Sequence, residues 1–227
     1  MLLLSLAALA WIGLHGLIAG RGRTPLAARL GEAGFRGLFS LLSAASLAGL
    51  ILAWRAAPWV PLWTPPSFAR GLAIAGMLPV LLLFAGALTR PNPTAVGGER
   101  LLAQGPRGLQ RVTRHPMLWS FALWAALHLQ ARGDLASLLF FGSLGLVALA
   151  GMPSIDAKLA RRDPAAWRGM AAGSSILPFA AILAGRAPFR PAEIGWPAPL
   201  LALALWLGLL LGHGLLFGAA LLPPMAG

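Results

Sequence analysis

Six apolar runs, each close to the thickness of a bilayer's hydrocarbon core, dominate this chain. They fall near residues 2–20, 37–54, 69–89, 115–131, 135–152 and 198–221. A helix needs about 20 apolar residues to cross roughly 30 Å of lipid tails. Inside lipid every backbone N–H and C=O must be satisfied by the segment itself, which leaves helices as the form for such runs. The expected fold is therefore all-α: a polytopic transmembrane helical bundle of about six spans. Composition agrees, with 58% hydrophobic and only 11% charged residues, against about a quarter charged in a soluble domain. No polar block is long enough to fold alone, so residues 1–227 read as a single transmembrane domain. The run at 174–185 is apolar but short, and about 12 residues suit an interfacial or re-entrant segment better than a span.

The basic residues orient the bundle. Connections 21–36, 90–114 and 153–193 hold fifteen of the 18 Lys and Arg residues, leaving Arg55, Arg70 and Arg132 elsewhere. Basic residues collect on the cytoplasmic side of inserted helices, so both termini are expected on the outer, periplasmic side. The net charge of +12 thus belongs to membrane topology, and nucleic acid is excluded as a partner. Trp54, Trp59 and Trp63, among Pro58, Pro61, Pro65 and Pro66, read as an outer loop at headgroup level, where tryptophan concentrates. Arg21 and Arg23 follow the first apolar run instead of preceding it, so this run reads as a retained helix and not a signal peptide. Ala, Arg, Gly and Leu dominate the composition. That bias fits a GC-rich bacterial genome and an inner-membrane location.

The chain has no cysteine, which removes disulfides and thiolate metal sites. Three of its four histidines, His15, His128 and His213, fall within spans. Ionisable groups at membrane depth usually face a bundle interior or cavity. Hydrogen bonding across helices is the plain reading of each; three in one small bundle point to a shared site. Haem iron is the natural guest, since imidazole is a haem ligand, whereas zinc wants further carboxylate or thiolate ligands. At 1.5 Å per residue His128 lies roughly 20 Å in from the inner edge and His213 roughly 22 Å, while His15 lies about 8 Å in. Depth alone pairs His128 with His213 and permits His15 with His115. Arg114-His115-Pro116 opens the fourth span. It reads either as a helix start with a snorkelling arginine or as an anion or cofactor contact at a helix N-terminus.

The stretch Thr113-Arg114-His115-Pro116-Met117, then Leu123 to His128, then Gly133-Asp134, resembles the NnrU family. So do Ser174-Ser175-Ile176-Leu177-Pro178-Phe179 with the run on to Arg186, and Gly13-Leu14-His15-Gly16 in the first span. The later motifs run in order over about 75 residues, and weaker similarity extends over residues 1–190. The resemblance implies a bacterial membrane protein linked to nitrite and nitric oxide reduction. It also implies kinship with the plant 15-cis-zeta-carotene isomerase, a haem b membrane enzyme whose two histidine ligands fall on His15 and His128. Where that enzyme is associated with a cysteine near its span-four histidine, this chain has Ala125, so a thiolate ligand switch is unavailable. Arg114-His115-Pro116 is more remotely similar to the motif with which isoprenylcysteine carboxyl methyltransferases bind S-adenosylmethionine. The Glu-Glu pair expected further on is replaced by Asp156-Ala157-Lys158-Leu159.

Three functions are thus open: a haem b protein in or beside nitrogen-oxide metabolism, isomerase-like or otherwise; an S-adenosylmethionine-dependent membrane methyltransferase; and a non-enzymatic assembly subunit. The expected metal ligands are His15, His128 and His213, and the expected cofactor contacts are Arg114 and His115. Expected partners are the lipid bilayer, an apolar small molecule and a second copy; Gly142, Gly145 and Gly151 let span five approach a neighbour closely, either another protomer or span four.

Overall fold

A computed structural model describes residues 1–94 and 98–221. Residues 95–97 of the second basic connection and the C-terminal end at 222–227 lie outside the described residues. The described chain is all-α and contains no named strand. Helix α1 (Leu2–Gly13) widens into a π-helical stretch at Leu14–Arg21. There follow α2 (Arg23–Arg55), α3 (Ala69–Thr89), a 3-10 turn at Glu99–Gln104, and the single turn α4 (Leu109–Val112). Then come α5 (Pro116–Arg132), α6 (Leu135–Arg162), α7 (Pro164–Ala172), the single turn α8 (Ala180–Leu183) and α9 (Pro197–Phe217).

Five of these are long and apolar enough to cross a membrane: Leu2–Gly20, Arg23–Arg55, Ala69–Thr89, Leu135–Arg162 and Pro197–Phe217. At 17 residues, α5 is about 26 Å long, at the short end of what spans. Leucines on α9 show what these surfaces are for: Leu211 is 72% exposed and Leu215 93%. Water does not tolerate continuous apolar faces of that size on a monomer, so this is a membrane protein whose helices face lipid.

Two helices differ in extent from the apolar runs. The second begins at Arg23, not near 37, because Arg23–Leu30 is rich in good helix formers. It breaks at Gly31, where φ is +73°, a left-handed value natural only to glycine. The break lets Arg23 reach Glu32 at 2.8 Å; nine residues along a straight helix would separate them by about 13 Å. The fifth run continues past 152, through Pro153, to Arg162. That extension carries Asp156.

The chain divides into two compact units, residues 1–67 with 122–154, and residues 68–121 with 155–221 of those described. In the first unit Leu4, Leu50, Ala53, Ala125, Phe140 and Phe141 form the core. Gly145 of α6 sits where a Cβ would be 3.2 Å from that of Ala125 on α5, so the small residues of this run bring two helices of the same chain together. The outer loop is stitched to the α5–α6 corner: Leu62 and Trp63 amides donate to the Gly133 carbonyl at 2.8 and 3.2 Å, and Leu135 N–H donates to Val60 O at 2.9 Å. Asp134 is 1% exposed and caps α6 by accepting from the Ser137 amide at 2.9 Å. Arg132 lies over Trp59 and Trp54 at 5.0 and 5.6 Å. In the second unit α3 packs on α9 through Leu81, Ala85 and Ala202, and Leu102, Leu159 and Met170 form a smaller core.

Candidate functional site

The densest polar cluster lies in the second unit, where α5 begins. Pro116 occupies the first turn of α5, where a missing N–H costs nothing, and Arg114 and His115 precede it. The Arg114 guanidinium grips Asp156 through Nη2 at 2.8 Å and Nε at 3.2 and 3.3 Å. Its Nη1 donates to Ser174 Oγ at 3.0 Å, and its charge lies 5.0 Å from the Trp167 ring centre. His115, 1% exposed, meets the other carboxylate oxygen through Nε2 at 2.7 Å. Beside a permanent guanidinium the carboxylate acts as acceptor only, so Nε2 carries the hydrogen. Nδ1 has no partner among the described residues.

Residues 174–181 clasp this helix start. Arg114 N–H donates to Ser175 O at 2.8 Å and Phe179 N–H to Val112 O at 2.7 Å. Thr113 Oγ1 and Trp119 Nε1 both donate to Ile176 O, at 2.7 and 2.8 Å. The segment expected to be interfacial or re-entrant therefore contains one helical turn and otherwise serves as a strap. Phe179, at φ +64° the one non-glycine residue with positive φ among those described, makes its sharpest bend. Such a bend is strained for an aromatic residue, and the bonds on both sides hold it. Arg186 secures the strap by donating to the carbonyls of Ala171, Ala172 and Ser174 at 2.8–3.2 Å.

Asp156 and Ser174 did not emerge as site residues from the sequence. The available signal was scarcity: Asp156 is one of only six acidic residues, and such a residue beside a span needs a counter-charge.

The three intramembrane histidines share a different device. His15 Nδ1 lies 3.0 Å from Trp11 O and His128 Nδ1 lies 2.8 Å from Trp124 O, each carbonyl four residues back. His213 Nδ1 lies 2.7 Å from Ala219 O. A carbonyl only accepts, so each Nδ1 carries the hydrogen, and in the neutral ring the lone pair falls on Nε2. This is the reverse of His115. His15 and His128 both sit in the first unit, each in a Trp-x-x-x-His turn with its ring against the tryptophan, at 4.0 and 4.9 Å between centroids. His15 also meets Phe39 edge-on at 5.4 Å, and His128 stacks on Phe141 at 4.8 Å. The helix changes from α to π at Leu14, directly before His15, and π segments gather at functional positions. His213 is in the second unit, half-buried, and ties down the turn that follows α9. The depth-matched pair His128 and His213 thus falls one in each unit. Among the described residues no three His, Asp or Glu side chains gather as a metal-binding group.

A family model described as "NnrU protein" matches residues 3–221. No curated protein and no solved structure matches.

Proposed function

The chain belongs to the NnrU family, and on that premise we propose that it is an inner-membrane haem b protein whose first unit holds iron through His15 and His128, acting in or beside nitrite and nitric oxide metabolism. The observation that carries this reading is the pair of Trp-x-x-x-His turns. In each, a backbone carbonyl fixes the Nδ1–H, so that Nε2 would be the atom to meet iron, the usual outer-shell arrangement of metal-ligating imidazoles.

The donor set fits a haem. It offers two neutral imidazoles, no competing thiolate, and an aromatic, apolar surround that suits a porphyrin. Gly13 and Gly16 flank His15 with open space where a Cβ would stand, which leaves room for a flat group against the helix. Bound haem would supply redox change at iron. The protein's part is to fix both rings by their own helices and to keep water away with Trp11, Phe39, Trp124 and Phe141. Ala125 in place of a cysteine confines ligation to nitrogen, which weighs against an isomerase that switches to a thiolate.

Methyl transfer has less support, because Nε, Nη1 and Nη2 of Arg114 are already committed to Asp156 and Ser174. Purified from cells supplied with ample haem, the protein should show a Soret band. His15→Ala and His128→Ala should each abolish or shift that band, and His213→Ala should preserve it. A colourless protein, or spectra indifferent to His15 and His128, overturns the proposal.

A further inference from the structure

The strap that clasps the start of α5 has two sides of opposite character. Ser174, Ser175 and Ala181 are buried, whereas Leu177, Phe179, Leu183 and Phe189 are exposed. Leu183 N–H donates to Phe179 O at 2.9 Å, which places these two residues one turn apart on the same side of α8. The rings of Phe179 and Phe189 lie 6.4 Å apart. The outward residues thus gather as an apolar patch, with Leu183 85% exposed at its edge. A glycine would take the bend at Phe179 without strain; a phenylalanine there with its ring outward suits an apolar neighbour, and apolar patches of this kind mark contact surfaces.

The level of the patch in the fold identifies the neighbour. Arg90, directly after α3, donates through Nε to Ile194 O at 3.0 Å, just before α9. Gln110, ahead of α5, donates through Nε2 to Pro91 O at 2.6 Å, and Thr94 Oγ1 donates to Arg114 O at 3.1 Å. The end of α3 therefore stands beside the starts of α5 and α9. Helices α3 and α9 are both long and apolar enough to cross a membrane, so their adjacent ends mark where hydrocarbon gives way to headgroups. Trp196, exposed at the N-cap of α9, belongs at that level, which tryptophan prefers. The strap lies there too, because Ile176 O accepts from Thr113 and Trp119, on either side of the α5 start. Beyond Trp196 the exposed Leu200 opens the lipid-facing surface of α9, so the apolar exterior continues from the strap region into a span.

We propose that the strap is an interfacial anchor. Its outward residues lie among lipid acyl chains just beneath the headgroups, on the side of the membrane from which α5 and α9 begin, while its inward side holds the clasp. Apolar faces of interfacial segments sink about 5–10 Å into that boundary. Arg186 and Arg190 flank the patch in sequence, the order expected where apolar groups enter lipid and cations stay with the headgroups. The bilayer itself is thus the partner of this surface, and through the strap it supports the bonds at the start of α5. The inference is independent of the haem reading.

The chain has no cysteine, so one introduced thiol accepts one label. In the full chain, reconstituted in bilayers of phosphatidylcholine and phosphatidylglycerol, Leu183→Cys is labelled with a nitroxide. Its collision rates with oxygen, which concentrates in lipid, and with a water-soluble nickel chelate are measured. Leu207→Cys on α9 supplies the lipid reference, and Arg161→Cys, an exposed position at the end of α6, the aqueous one. The oxygen-to-nickel ratio of Leu183→Cys is expected well above that of Arg161→Cys and toward that of Leu207→Cys, with Leu177→Cys following it. A ratio equal to that of Arg161→Cys at both strap positions puts the patch in water and overturns the proposal. So does spectral broadening that vanishes on dilution with unlabelled protein, since a second copy would then cover the patch.

Discussion

The clasp around Arg114 and the two Trp-x-x-x-His turns both bury polar groups, and they do so in opposite ways. At the clasp a guanidinium, a carboxylate, an imidazole and a serine hydroxyl satisfy one another, and the strap at 174–181 supplies carbonyls to complete the set. In the turns each imidazole spends one nitrogen on its own helix and lies against aromatic rings. Closed networks of the first kind hold a fold together. The second kind fixes a ring through the helix that carries it, as the proposed ligand role requires.

The sharpest way to break this contrast is to open the clasp. Arg114→Ala leaves Asp156 in a buried setting with the His115 ring as its one remaining partner from the clasp, and should destabilise by about 3 kcal/mol, read as a fall in the unfolding midpoint in detergent. Replacing both partners by apolar residues, Arg114→Met with Asp156→Leu, should recover much of that loss. An unchanged midpoint in Arg114→Ala would mean the clasp is not structural. Next in size is Gly145→Leu, which drives a side chain into Ala125 on α5 and should cost about 1–3 kcal/mol through overpacking. It should also disturb the haem spectrum, since Phe141 of the same helix stacks on His128. His15→Phe should shift the midpoint of the haem-free protein by no more than about 1 kcal/mol, because the bond to its own helix is lost and a ring is kept, and His128→Phe should cost less than opening the clasp. Their effect on haem binding should be complete. Equal damage to fold and haem would place these histidines with the clasp.

The smallest effect concerns pH. Arg111, donating to both oxygens, holds Glu193 down from 4.5 to about 2. A carboxylate whose value is lowered in the folded state adds stability that is fully present above 4.5 and is lost as pH falls toward 2. Glu193 is partly exposed, so the slope will be shallow. Glu193→Gln should flatten it over that window in acid titrations of the midpoint.

Much of the helical fold was legible because lipid imposes a length on each apolar run. The bounds were less so. Pro153 marks a natural stop by local preference, yet α6 continues through it, and the tertiary bonds of Asp156 lie beyond that point. The segment at 174–185 read correctly as apolar and too short for an ordinary span, but its role depends on bonds to residues 112–119, which no local pattern reveals. Arg114 and His115 stood out by type and position. Asp156 and Ser174 did not, because pairing across 42 and 60 residues leaves no periodic trace. The matching tautomers of His15 and His128 rest on a spacing, tryptophan four residues before histidine, that is visible twice in the sequence and becomes informative only once the carbonyls are placed.

The strap has a bearing on how the chain is made. Ser174 leaves the ribosome 60 residues after Arg114, a delay of about 3–12 s at ordinary elongation speeds. During that interval the start of α5 is inserted without its carbonyl partners. Chains interrupted before Ile176 therefore lack the carbonyl that accepts from both Thr113 and Trp119, and the start of α5 is complete only once the strap has been made.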